Sequence, residues 1–127
     1  NPPYLRADCG KRNADFVKYA AFHEHFGGIG DFARAAAHLL GTGGSFYTVY
    51  RPERLAGLLT ALSAAGLEPK WLQPVAADVL RAPSLVLVES VKGAAEGMVY
   101  EKNLVIYRDQ AHTQYTDELE RIYHAFS

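Results

Sequence analysis

The hydrophobic positions change period several times along the chain, and each change marks an element. Residues 1–30 carry no long periodic run. Asn1-Pro2-Pro3 excludes interior helix and central strand, because the two prolines remove backbone donors and fix φ. A short amphipathic helix is expected between Asp15 and Phe26, with Phe16, Tyr19, Ala20 and Phe26 as its apolar members, ended by Gly27, Gly28 and Gly30. From Asp31 to Leu40, Phe32, Ala35, Ala36, Leu39 and Leu40 recur at i, i+3, i+4, i+7 and i+8. That spacing predicts a helix with Asp31 as N-cap and Gly41 as its stop. Ser45 to Arg51 is aromatic and β-branched and reads as a strand.

Pro52 suits the first turn of a following helix, whose Leu55, Leu58, Leu59 and Leu62 form a leucine stripe before Gly66 stops it. Lys70 to Val75 predicts a strand that Pro74 assigns to a sheet edge or a bulge. Ser84 to Val91 holds Leu85, Val86, Leu87 and Val88 in succession, as a strand covered on both faces does. Leu104 to Tyr107 is a short apolar run. Thr116 caps a last helix, with Asp117 and Glu118 in its first turn and Leu119, Ile122, Tyr123 and Phe126 on one face. Strands alternating with helices and closing on an antiparallel pair predict an α/β fold with a mixed sheet.

Composition narrows the function classes. At 127 residues the chain is one domain's worth, and 49% hydrophobic against 21% charged residues supports a packed core. Thirteen basic and fourteen acidic residues exclude a histone-like polycation, though not a local basic patch. A single cysteine, Cys9, excludes an intrachain disulfide and a cysteine-based zinc site, and suits a reducing compartment. No apolar run reaches the roughly twenty residues of a membrane helix. No signal peptide is recognised, so the cytoplasm is the expected location. The first residue is Asn1 and not Met, which reads as a fragment or a processed chain.

Four features could carry chemistry. Asn1-Pro2-Pro3-Tyr4 pairs a stiff turn with two acceptors, the Asn1 side-chain oxygen and the Pro2 carbonyl, which can both take hydrogen bonds from one planar –NH₂ group. Tyr4 can stack on the flat group carrying that amine. Such an arrangement favours the positive charge that develops when a delocalised amine attacks a methyl sulfonium. The same tetrapeptide also reads as a plain proline-rich turn. Gly28-Ile29-Gly30-Asp31-Phe32-Ala33 matches a dinucleotide fingerprint, but His23-Glu24-His25-Phe26 is not the strand that should precede one. A glycine loop before a helix is the better reading. His23-Glu24-His25 lacks further ligands, so no metal is expected. Lys11, Arg12 and Lys18 are either phosphate contacts beside a substrate base or an ordinary solvated stretch with Asp8 and Asp15. The aromatics between Tyr107 and Tyr123 are core candidates by their spacing.

Asn1-Pro2-Pro3-Tyr4 resembles the catalytic loop of amino-group methyltransferases that use S-adenosylmethionine. Later segments narrow the likeness: Arg51-Pro52-Glu53-Arg54-Leu55, Leu67-Glu68-Pro69-Lys70, Leu87-Val88-Glu89, Leu104-Val105-Ile106-Tyr107 and Tyr115-Thr116-Asp117-Glu118. Together they resemble, in order along the whole chain, the bacterial valine-tRNA adenine N6-methyltransferase family. Where that family often carries Ala-Arg-His-Glu, this chain has Ala21-Phe22-His23-Glu24.

The resemblance implies the second half of a Rossmann-like class I methyltransferase sheet, three-layered, with the antiparallel last strand of the order 3-2-1-4-5-7-6. Residues 1–127 would be the C-terminal part of one methyltransferase domain, and the cofactor-binding half would lie upstream. It implies that Asn1, Pro2, Pro3 and Tyr4 are catalytic and that Asn1 also contacts S-adenosylmethionine; Lys11, Arg12 and Lys18, by their charge beside that loop, are then the candidate tRNA contacts. Adenine N6 in tRNA is the expected substrate. A protein glutamine-amide methyltransferase and a non-catalytic interaction domain or inactive fragment are the alternatives. The missing neighbour strand would leave the edge of Ser45–Arg51 unpaired, which predicts self-association or pairing with the absent half.

Overall fold

A computed structural model describes residues 17–18 and 28–125. Six strands and three helices follow one another as β1 (Val17–Lys18), α1 (Ile29–Leu39), β2 (Ser45–Tyr50), α2 (Leu55–Ala64), β3 (Leu67–Ala76), β4 (Leu85–Lys92), β5 (Val99–Tyr100), β6 (Leu104–Val105) and α3 (Asp117–Ala125). A single 3₁₀ turn, Pro52–Arg54, leads into α2. The strands make one sheet in the order β1-β2-β4-β3-β5, and β6 also pairs with β3. β4 is antiparallel to both β2 and β3, so those two run in the same direction with a reversed strand between them. β1 is parallel to β2, and β5 and β6 are parallel to β3.

The core lies on one face of this sheet. Cross-strand partners share a face, which places Phe46, Thr48 and Tyr50 of β2 beside Ser90, Val88 and Val86 of β4. Phe46, Val86, Val88 and Leu72 pack there against Ala33, Ala36 and Leu40 of the α1 segment and Leu58 and Leu62 of α2. The expected leucine stripe of α2 therefore holds, and Gly66, at φ +82°, ends that helix as read. At this packed face Thr48 Oγ1 and Ser90 Oγ are buried without a hydrogen-bond partner.

Four local expectations are corrected. Val17 and Lys18 form a strand and not part of a helix, because they pair with Phe46 and Tyr47 of β2. The remainder of the expected Asp15–Phe26 helix lies outside the described residues. The same pairing covers the β2 edge at Phe46 and Tyr47, which was expected to be open. The N-cap of α1 is Gly28, and Asp31 sits in the first turn, where its carboxylate pairs with Arg34. The buried stripe of α1 is Ala33, Ala36 and Leu40, while Ala35 and Leu39 face solvent. Small side chains on the buried stripe let the helix approach the sheet, so size prevailed over the longer apolar pattern.

β3 is longer than its sequence pattern suggested and accommodates both of its prolines. Pro69 pairs with Ser90 and Trp71 with Glu89, so Lys70 is the extra residue of a bulge. The carbonyls of Leu72 and Ala76 accept from Glu101 and Ile106, on the side away from β4. Pro74 lies between them in the alternation, so its missing N–H falls in the gap between the β5 and β6 pairings. Among the described residues no helix is long and apolar enough to cross a membrane.

Candidate functional site

Because β2 and β3 run parallel, their carboxyl ends lie at the same end of the sheet, where open α/β sheets bind ligands. At the end of β2, Arg51 Nε donates to Glu53 Oε2 at 2.9 Å on the 3₁₀ turn. The Glu53 carboxyl is held below its ordinary value by a backbone hydrogen bond foremost and by Arg51 next.

At the end of β3 the chain builds a denser polar centre. Asp78 is 2% exposed. Its Oδ1 accepts from the backbone N–H of Leu80 at 2.9 Å, which closes a tight local turn. Its Oδ2 lies 2.9 Å from His112 Nε2 and 3.3 Å from Arg81 Nε. These partners, the His112 hydrogen bond foremost, hold the Asp78 carboxyl below its ordinary value of 3.8. An ionised Oδ2 can only accept, so Nε2 carries the imidazole proton, and in the neutral ring Nδ1 presents its lone pair.

His112 reaches Asp78 because its own loop is held by the carboxylate of Asp109. That carboxylate accepts from the backbone N–H groups of Thr113 and Gln114, at 3.0 and 3.1 Å, and from the Thr113 hydroxyl. His112 itself sits at φ +59°, the left-handed region that non-glycine residues seldom occupy. Its ring stacks on Tyr107, with centroids 4.6 Å apart and planes at 12°. Tyr107 also stacks on Tyr115 at 5.4 Å and 23°, across a one-residue antiparallel bridge. Tyr115 is 50% exposed, so it belongs to a surface and not to the core expected from its spacing, as does the exposed Tyr123 of α3. Thr116 caps α3 as predicted: Oγ1 accepts from Leu119 N–H at 3.2 Å and donates to Val105 O at 2.5 Å.

A second polar centre lies on the sheet face opposite the core. Glu89 of β4 is buried, and its Oε2 accepts from Ser45 Oγ at 3.1 Å and Tyr47 OH at 3.0 Å. Gln73 lies on the same face, and its amide donates to Lys102 O at 3.2 Å. The run Leu85–Val88 is thus buried at Val86 and Val88, while Leu85 and Leu87 on the polar face are less covered.

Asn1, Pro2, Pro3, Tyr4, Lys11 and Arg12 lie outside the described residues, and Lys18 has its backbone in β1 beside Tyr47. Among the described residues no group of three His, Cys, Asp or Glu side chains could hold a metal. Sequence reading missed the centre at Asp78, Arg81 and His112. Asp78 and His112 are 34 residues apart, and nothing local marks them as partners. The available signal was the aromatic pair Tyr107 and Tyr115 flanking a polar loop that holds Asp109, His112 and Thr113.

Neither a family model nor a curated protein matches this chain. Its solved structural neighbours include a predicted O-methyltransferase, protein Atu636 from Agrobacterium tumefaciens, at a TM-score of 0.67 and 16% identity. The chain has a methyltransferase-like fold. The likeness covers 79% of this chain and 47% of Atu636, so the chain spans about half that protein's length. A reversed β4 between parallel β2 and β3 agrees with the antiparallel last strand that the resemblance implied, and the α/β fold class is as expected; β5 and β6 extend the sheet beyond β3, where the implied order ends.

Proposed function

We propose that the full protein transfers a methyl group from S-adenosylmethionine to an exocyclic amine, with adenine N6 of tRNA as the substrate. The observation that carries this reading is an Asn1-Pro2-Pro3-Tyr4 sequence on a chain whose sheet has the reversed strand of a methyltransferase. The Asn1 side-chain oxygen and the Pro2 carbonyl would accept from the two hydrogens of the amine and fix its approach, and Tyr4 would stack on the base. Pro3 would stiffen the turn that aims both acceptors. Lys11, Arg12 and Lys18 would meet the phosphates around that base.

The cofactor supplies the methyl sulfonium. The described residues do not provide its cradle. The glycines beside the strands, Gly43 and Gly44 before β2, Gly66 before β3 and Gly93 after the reversed β4, all lie at one end of the sheet, where Gly43 N–H donates to Lys92 O at 2.8 Å. They turn the chain at the far end from the site. Residues upstream of Asn1, with Asn1 itself, would hold the cofactor.

The test uses the full-length protein with S-adenosylmethionine and unmodified tRNA. The expected product is N6-methyladenine, and Asn1→Ala in a folded enzyme lowers turnover by about 10²–10³. Methylation of a glutamine amide in a protein would replace the substrate. No cofactor binding, or full activity in Asn1→Ala, would overturn the reading.

A further inference from the structure

The centre at the carboxyl end of β3 is not used by the methyl-transfer reading, and its free atoms have a definite chemistry. Asp78 spends its buried carboxylate on His112, Arg81 and the Leu80 N–H. That one oxygen, Oδ2, holds an imidazole and a guanidinium side by side by a single nitrogen each. Neither His112 Nδ1 nor the terminal nitrogens of Arg81 have a partner among the described residues, and the Arg81 side chain is 61% exposed. The half-exposed ring of Tyr115 adds a flat face, braced from behind by its stack on Tyr107. A cation for a phosphate, an acceptor for a hydroxyl or base N–H, and an aromatic face for a base are contacts by which proteins hold single-stranded RNA.

We propose that Arg81, His112 and Tyr115, positioned by Asp78 and Tyr107, form a subsite for a single-stranded RNA segment of the substrate. The subsite rests on the RNA substrate proposed above. It lies two strand spacings, about 10 Å, from the carboxyl end of β2. The carboxyl ends of β2 and β3 share one end of the sheet, so the subsite lies where such sheets bind ligands. A phosphate accepts from Arg81, a ribose 2′-hydroxyl donates to His112 Nδ1, and a base of the same strand stacks on Tyr115, on the other side of the shared Tyr107 contact.

The probe is a short fluorescent single-stranded RNA, titrated by anisotropy into the full-length protein without cofactor. Tyr115→Ala weakens binding about tenfold to a hundredfold, the loss of one stacked base, while Tyr115→Phe keeps it. Arg81→Ala lowers the slope of log affinity against log salt by about one phosphate contact. His112→Gln narrows the preference for RNA over DNA of the same sequence. Tyr123→Ala, at an exposed ring outside the subsite, changes nothing. RNA affinity that is unmoved in folded Tyr115→Ala and Arg81→Ala proteins, or no RNA binding by the wild type at low salt, overturns the subsite. Subsite-dependent RNA binding without methyl transfer would keep the subsite and refute the catalytic reading. Methyl transfer to RNA with an unchanged KM in Tyr115→Ala would do the reverse.

Discussion

Removing the ammonium of Lys92 should uncouple the end of α1 from the sheet. Lys92 closes β4, and its Nζ donates to Ala37 O at 2.6 Å and to Leu40 O at 2.7 Å. Both acceptors are among the last carbonyls of α1, which have no partner within the helix. The side chain thus supplies two charged hydrogen bonds and a cation at the negative end of the helix dipole. Each charge-assisted bond contributes about 1.5–3 kcal/mol, and this site is only partly buried, so water replaces part of the loss. Lys92→Met keeps the apolar stem and leaves the backbone bonds from Lys92 to Gly43 and Gly44 intact. The expected net loss is about 2 kcal/mol, or roughly 6–9 °C in Tm for a chain of this size. Urea unfolding measures it, with Lys70→Met as the control, because Lys70 Nζ bonds only the exposed loop carbonyl of Ala95. A Lys92→Met protein within about 0.5 kcal/mol of wild type would refute the reasoning.

Acid should release the loop that carries His112. Asp78 and Asp109 are both depressed below the ordinary 3.8, Asp78 chiefly by His112 and Asp109 chiefly by the Thr113 hydroxyl. A depressed carboxyl contributes its full stability above the ordinary value and loses it as pH falls through the lower folded value. The Thr113 and Gln114 amide resonances should therefore stay dispersed at pH 3.8 and above and collapse only below it; collapse already near pH ~5 would contradict the assignment. Thr116→Ala removes the cap of α3 and should cost about 1 kcal/mol, read as faster amide exchange at Leu119 than in wild type.

Several elements are legible from local chemistry alone. The leucines of α2 recur at helical spacing, Gly66 alone tolerates the positive φ after it, and Thr116 has the hydroxyl that α3 needs at its start. β2 is aromatic and β-branched from Phe46 to Tyr50, and β4 opens on the aliphatic run Leu85–Val88. These signals are local because each depends on residues within one or two turns. The α/β class was legible because strand and helix patterns alternate along the chain, and the mixed sheet agrees with it.

Tertiary structure decided the rest. Which face of α1 is buried depended on how closely Ala33 and Ala36 could approach the sheet, and periodicity allowed a neighbouring stripe almost equally well. β3 keeps Pro74 because the gap between β5 and β6 leaves its missing N–H without a required acceptor. Tyr107 and Tyr115 have core spacing but lie on a bridge at the sheet's end, where half of the Tyr115 ring meets solvent. The pairing of Asp78 with His112 is the clearest case. A buried carboxylate needs donors, and burial, not sequence distance, selects them: β6 returns the chain beside β3, Asp109 folds the loop, and His112 arrives where the desolvated charge requires a partner.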